Sequence, residues 1–246
     1  MPMPRHRPGG HDRSTAAGAV PAAAVKGPVV TPSARREWPV PVLLILLSAV
    51  PVIAGGVRLG DLGGGPVTPD NARFFADPVP VVLHIVAVVP YCLLGALQFA
   101  PGLRRRRWHR LSGRLLVPLG LVAALTGVWM SLAYPLNEGE GASLTLVRLV
   151  FGSAMAAAVL LGFAAVRRGD IAGHRAWMTR GYAIGLGAGT QVFTHLPWVL
   201  LPGQPGEATR TVLMAAGWVV NLAVAEWAVR RGPAAAGERA AAPARR

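Results

Sequence analysis

A single cysteine, Cys92, lies inside an apolar run, so the chain has no disulfide framework and gives no indication of its redox compartment. Charge is scarce too: only 15% of the 246 residues are charged, 52% are hydrophobic, and the mean hydropathy is +0.43. That composition is too apolar for an ordinary soluble domain and too interrupted for one long core. Gly-rich phosphate loops, Cys-x-x-Cys pairs, His-Glu-x-x-His and nucleophile elbows are all missing, so no familiar catalytic class is marked and the sequence leans away from an enzyme. The apolar stretches also lack the alternation of barrel strands, which leaves helices.

What is present is a series of six apolar segments, at about 38–57, 79–100, 115–134, 144–166, 182–201 and 212–229. Each is close to the ~20 residues that a helix needs to cross ~30 Å of hydrocarbon. Pro51, Pro90, Pro118 and Pro197 fall inside them, as membrane helices tolerate when neighbours satisfy the freed carbonyl. The expected fold is therefore all-α, a polytopic integral membrane bundle of six helices over residues 37–231. Residues 1–36, rich in Pro, Ala, Gly and Arg, and residues 232–246 read as disordered basic tails.

The net charge of +14 does not point to nucleic acid, because the basic residues are clustered between apolar runs without polar and aromatic interleaving. Of the 25 Lys and Arg, all but Arg58, Arg73, Arg148 and Arg210 fall in the two tails, the second connection and the fourth. By the positive-inside rule both termini are then cytoplasmic, in a multi-pass protein of the cell (cytoplasmic) membrane.

The second segment, drawn as a helix, carries His84, Val88, Tyr91, Gly95 and Gln98 along one stripe, which should face the bundle interior. In the fifth, Gln191 and His195 form an i, i+4 pair beside Thr190 and Thr194, with Gly185, Gly187 and Gly189 allowing close approach. His84 and His195 each lie roughly 8 to 9 Å inside the outer edge, while His109 and His174 form a level at the cytoplasmic edge. Paired imidazoles at two depths suit axial ligation of haem, an architecture similar to that of di-haem transmembrane cytochromes. The plain alternatives are a hydrogen bond to a neighbouring helix for His84, an interfacial position for His195, and phospholipid contact for His109 and His174. Arg148 reads either as an anion-binding group or as a side chain that snorkels to the interface.

At these positions the chain resembles the bacterial membrane proteins grouped as domain of unknown function 2306. The resemblance rests on His84, Gln98-Phe99, His109-Arg110, Gly113-Arg114 and the block His174-Arg175-x-Trp177-Met178-x-Arg180, and covers about residues 80–195. It implies a polytopic membrane protein of a family with no established activity, and makes His84, Gln98, His109, Arg110, His174, Arg175, Trp177 and Arg180 candidate site positions.

Two functional expectations follow. In the first, His84, His109 and His174 bind haem or a metal for electron transfer, and the flanking arginines neutralise propionates or phosphates. In the second, the protein is a non-enzymatic membrane carrier or scaffold, and the same His-Arg blocks bind anionic phospholipid head groups or a cytosolic partner.

Overall fold

The computed structural model of the protein describes residues 38–104, 107–200 and 206–231, and the fold is all-α. Helix α1 runs Pro39–Leu62, the short α2 Ala72–Ala76, α3 Pro78–Leu97, the single turn α4 Pro101–Arg104, α5 Arg107–Ala133 and α6 Ala142–Arg167. The chain continues through α7, Ile171–Gly185, α8, Gly187–Val199, and α9, Glu207–Arg230. Among the described residues five helices, α1, α3, α5, α6 and α9, are long and apolar enough to cross a membrane. Pro51, Pro90 and Pro118 lie within three of them, and Pro197 lies within α8. The tails expected over residues 1–36 and 232–246 lie outside the described residues.

Large apolar side chains crowd the outside of the bundle: Leu43, Leu46, Ile53, Leu125, Leu132 and Phe193 are all exposed. The interior is built from small residues, including Ala87, Ala96, Ala123, Ala124 and Ala158. This inversion suits hydrocarbon surroundings, where helices associate through close backbone packing rather than by expelling water. Two tyrosines fill the space that the small residues leave. The Tyr91 ring is gripped between Gly120 and Gly185, where an added Cβ would come within 2.7 Å and 2.8 Å of it. The Tyr182 ring lies against Gly95, and its hydroxyl donates to the Cys92 carbonyl at 2.7 Å.

Three boundaries differ from expectation. Helix α5 starts at Arg107 and α7 at Ile171, so the His109-Arg110 and His174-to-Arg180 blocks are helical rather than connecting loop. Hydropathy marks where a helix is greasy, not where its hydrogen-bond ladder begins. For α7 the beginning is fixed by Asp170, whose side chain caps the Gly173 amide at 2.7 Å. Just before it Gly169, at φ 78°, closes α6 with a bond from the Asp170 amide to the Ala165 carbonyl, a turn that favours a residue without Cβ.

The third difference is the fifth apolar segment, expected as one rod over 182–201 and found as two helices broken at Leu186. A break inside hydrocarbon requires other donors for the released carbonyls. They are supplied by Asn221 Nδ2 to Ala183 at 3.0 Å, Trp218 Nε1 to Ile184 at 3.1 Å and the Cys92 thiol to Gly185 at 3.8 Å. The Gly185-Leu186-Gly187-Ala188-Gly189 run lets this kinked backbone pack tightly, with Gly187 against Trp218 and Gly189 against the Leu47 carbonyl.

Candidate functional site

Where the break leaves room, the bundle forms a half-open cavity of about 410 Å³. It takes side chains from α1 (Ser48), α3 (His84), α5 (Met130), α6 (Arg148), the α7–α8 break (Leu186) and α9 (Trp218). A volume of this order, mostly apolar and with a few convergent polar groups, falls in the ~300–1,000 Å³ range of small-molecule and cofactor sites.

His84 enters this cavity in a defined protonation pattern. Its Nδ1 lies 2.9 Å from the Ala123 carbonyl and 3.1 Å from Thr126 Oγ1. A carbonyl can only accept, and the Thr126 hydroxyl already donates to the Val122 carbonyl at 2.6 Å, so Nδ1 carries the hydrogen. The neutral ring therefore holds its lone pair on Nε2, which makes no hydrogen bond among the described residues. A backbone carbonyl fixing one imidazole nitrogen so that the other can act as a donor atom is the arrangement found around histidine ligands.

At the end of the bundle that carries α2, three charged groups meet. Arg73 Nη1 donates to Glu140 Oε2 at 2.8 Å and Arg148 Nη2 to Glu140 Oε1 at 2.7 Å. The Glu140 side chain is 1% exposed and those of Arg73 and Arg148 are 15% and 24% exposed, so a buried anion is held by two partly exposed cations. Burial alone would push the carboxyl up. Hydrogen bonds from Arg148, Arg73 and the Asn137 amide outweigh that effect and hold it down at about 2. Both arginines line the cavity. Nearby, Arg58 pairs with Asp61 at 3.3 Å and lies over the Phe74 ring.

Of the eight positions that the family resemblance marks, His84 alone lines the cavity, joined there by Arg148. The rest lie toward the opposite end, where Gln98, His174 and Arg180 tie helices together. Gln98 Nε2 donates to Ser112 Oγ at 2.6 Å, joining the end of α3 to the start of α5, on whose first turn His109 is half-buried. His174 Nδ1 meets the Gly162 carbonyl at 2.9 Å and fastens α7 to α6. Arg180 binds Glu226 at 2.7 Å, and its guanidinium lies 5.0 Å from the centre of the Trp177 ring. Arg110 and Arg175 are exposed. His195, expected to pair with His84 by depth, turns back to the Gln191 carbonyl of its own helix at 2.8 Å. The polar face of α8 docks on α9, through Thr190 to Asn221 and Gln191 to the Met214 carbonyl.

The donor set separates the two cofactor classes. Among the described residues no group of three or more His, Cys, Asp or Glu side chains is placed to hold a bare metal ion, so His84, His109 and His174 form no shared ligand cluster. Haem brings four nitrogen donors of its own and needs only an axial partner, which one imidazole can provide.

Arg73 and Glu140 were missing from the expected site because both lie in connections, where they read as external charges. Arg148 carried the signal of a charge near the end of an apolar run. No curated protein and no solved structure matches the chain. The family model described as "Predicted membrane protein (DUF2306)" matches residues 81–229, a stretch holding α5 through α8 entire, His84 and both arginine-bearing blocks. With its apolar exterior and its helices long enough to span, the chain belongs to this family of multi-pass integral membrane proteins.

Proposed function

We propose that the protein is a cofactor-binding membrane protein whose cavity would hold a haem through His84 Nε2, for electron transfer. The observation that carries this reading is the fixed tautomer: Nδ1 is occupied by the Ala123 carbonyl, and the free lone pair belongs to a cavity-lining ring. Bound haem would supply one-electron chemistry. The chain's own part is to orient His84 through Ala123 and Thr126 and to surround the group with apolar walls such as Val88, Met155 and Trp218. The test is the visible spectrum of the full chain purified in detergent from haem-replete cells. A Soret band that disappears in His84→Ala and persists in His174→Ala is expected. A colourless preparation would remove the proposal.

The topology that goes with it has α7 and α8 acting together as one crossing, which makes six and places both termini on the cytoplasmic side of the cell membrane. It is supported by the arginine distribution and by the length of the combined segment, Ile171 to Val199. A second reading concerns the end that bears the His-Arg blocks. Arg107, Arg110, Arg114, Arg167, Arg168 and Arg175 are all exposed there, as a ring that recruits anionic head groups would be. The two readings use different ends of the bundle. Vesicle co-sedimentation that rises with phosphatidylglycerol content, and falls when Arg110 and Arg175 are replaced by Gln, would favour the second.

A further inference from the structure

The Arg73–Glu140–Arg148 triad is unbalanced in a way that a purely structural ion pair is not. Two guanidinium groups, one from α2 and one from the second turn of α6, converge on a single carboxylate, which leaves one positive charge uncompensated within the triad. Among the described residues most of their donors make no hydrogen bond, and Arg73 also lies 5.0 Å from the centre of the Phe74 ring. An arginine carries five N–H groups. Arg148 has no other hydrogen bond among the described residues than the one to Glu140. Arg73 uses Nη1 for Glu140 and for the Pro135 carbonyl, at 2.8 Å and 3.1 Å, while its Nε is buried with no hydrogen-bond partner. Both side chains belong to the cavity wall, and below them that wall is greasy, with Val89, Met130, Met155, Leu186 and Trp218. An unpaired buried guanidinium donor costs about 1–3 kcal/mol, and two cations on one anion repel each other, so this end is poised to take a second anion.

We propose that the arginine end of the cavity is a carboxylate port: the cavity's ligand is an amphipathic acid whose carboxylate sits on Arg73 and Arg148 while its apolar body lies along the Met130–Trp218 wall. Glu140 shows the chemistry that the port selects, since the chain's own carboxylate already sits on the same two side chains. Guanidinium groups match carboxylates by geometry as well as charge, and they do so most strongly where water is excluded. The inference rests on the cavity being a ligand site, as in the preceding reading, but not on iron. The shared chemistry, an acid on an apolar body, belongs equally to a long-chain fatty acid and to the propionates of haem.

The test uses the full chain in lipid nanodiscs and the fluorescent fatty acid cis-parinaric acid beside its methyl ester, which has the same body and no charge. The acid is expected to bind at least tenfold more tightly than the ester, because a hydrogen-bonded charge pair is worth about that factor. Arg148→Gln is expected to remove most of the difference by weakening the acid and leaving the ester unchanged. Equal binding of acid and ester by the unmodified protein, for this pair and for hemin and its dimethyl ester alike, would overturn the port without reference to any variant, and an acid preference undiminished in Arg148→Gln would overturn it as well. Hemin and hemin dimethyl ester form the second arm. Preference for the acid in this arm alone assigns the port to propionates, and in the fatty-acid arm alone to a lipid acid. A Soret band with no acid preference in either arm sinks the port and spares the haem reading, while acid preference without a Soret band does the reverse.

Discussion

Adding one methyl group at Gly185 should destabilise the bundle through a single ring. In Gly185→Ala the new Cβ would lie 2.8 Å from Tyr91 Cε1 and 3.3 Å from Met155 Cε, well inside the ~3.5–4.0 Å at which carbon atoms attract. The ring has nowhere to retreat, because its far edge already abuts Gly120, where a Cβ would come within 2.7 Å of Cε2. Its face is bounded by Tyr182, with ring centres 5.8 Å apart. Overpacking of this kind costs about 1–3 kcal/mol, offset by up to ~1 kcal/mol from the better helix propensity of Ala. A net loss of about 1–2 kcal/mol corresponds to a fall in Tm of roughly 2–8 °C for a chain of this size. The assay is thermal unfolding in detergent, repeated in a Tyr91→Ala background. There the ring is gone, so Gly185→Ala should be neutral or stabilising, with a coupling above ~1 kcal/mol. The same penalty in both backgrounds would refute the packing argument.

Three further outcomes follow from the structure. The Glu140 carboxyl is held at about 2 against an ordinary 4.5, so its contribution to stability is complete above ~4.5 and is lost as the pH falls from there toward 2. Melting curves across that interval should drop more steeply for the unmodified protein than for Glu140→Gln, which at neutral pH should already be destabilised by about 1–3 kcal/mol because it removes the negative charge that two partly exposed arginines share. Asn221→Ala removes the donor to the Ala183 carbonyl and the acceptor of Thr190, at 3.0 Å and 2.7 Å. A loss of about 1–3 kcal/mol is expected, with faster amide exchange confined to the α7–α8 break; melting indistinguishable from the unmodified protein would contradict the role given to Asn221. Single cysteines placed at Arg110 and Glu138 in a Cys92→Ala background should label from opposite sides of the membrane, and labelling from one side would overturn the six-crossing topology.

The greasy rods were legible because lipid imposes a length, and the inward stripe of His84, Val88, Tyr91 and Gly95 was legible because a period of ~3.6 residues puts them on one face. Val88 lines the cavity with His84, and Tyr91 and Gly95 are buried. The break at Leu186 was not legible, since hydropathy runs unbroken through Gly185 to Gly189 and the donors that hold the break come from Cys92, Trp218 and Asn221 on other helices. His174 read as an interfacial histidine because nothing in its own segment reveals the Gly162 carbonyl above it. The triad was hidden for the same reason: Arg73 and Glu140 are 67 positions apart and meet only when α2 folds against the α5–α6 connection.

If His84 offers Nε2 to a cofactor in the cavity, hemin titration of the haem-free protein will show it. The unmodified chain should take up a single equivalent with a sharp Soret shift, and His84→Ala should take up none while His109→Ala and His195→Ala behave as the unmodified chain does. Uptake of one equivalent by His84→Ala, with the same band position, would contradict the account.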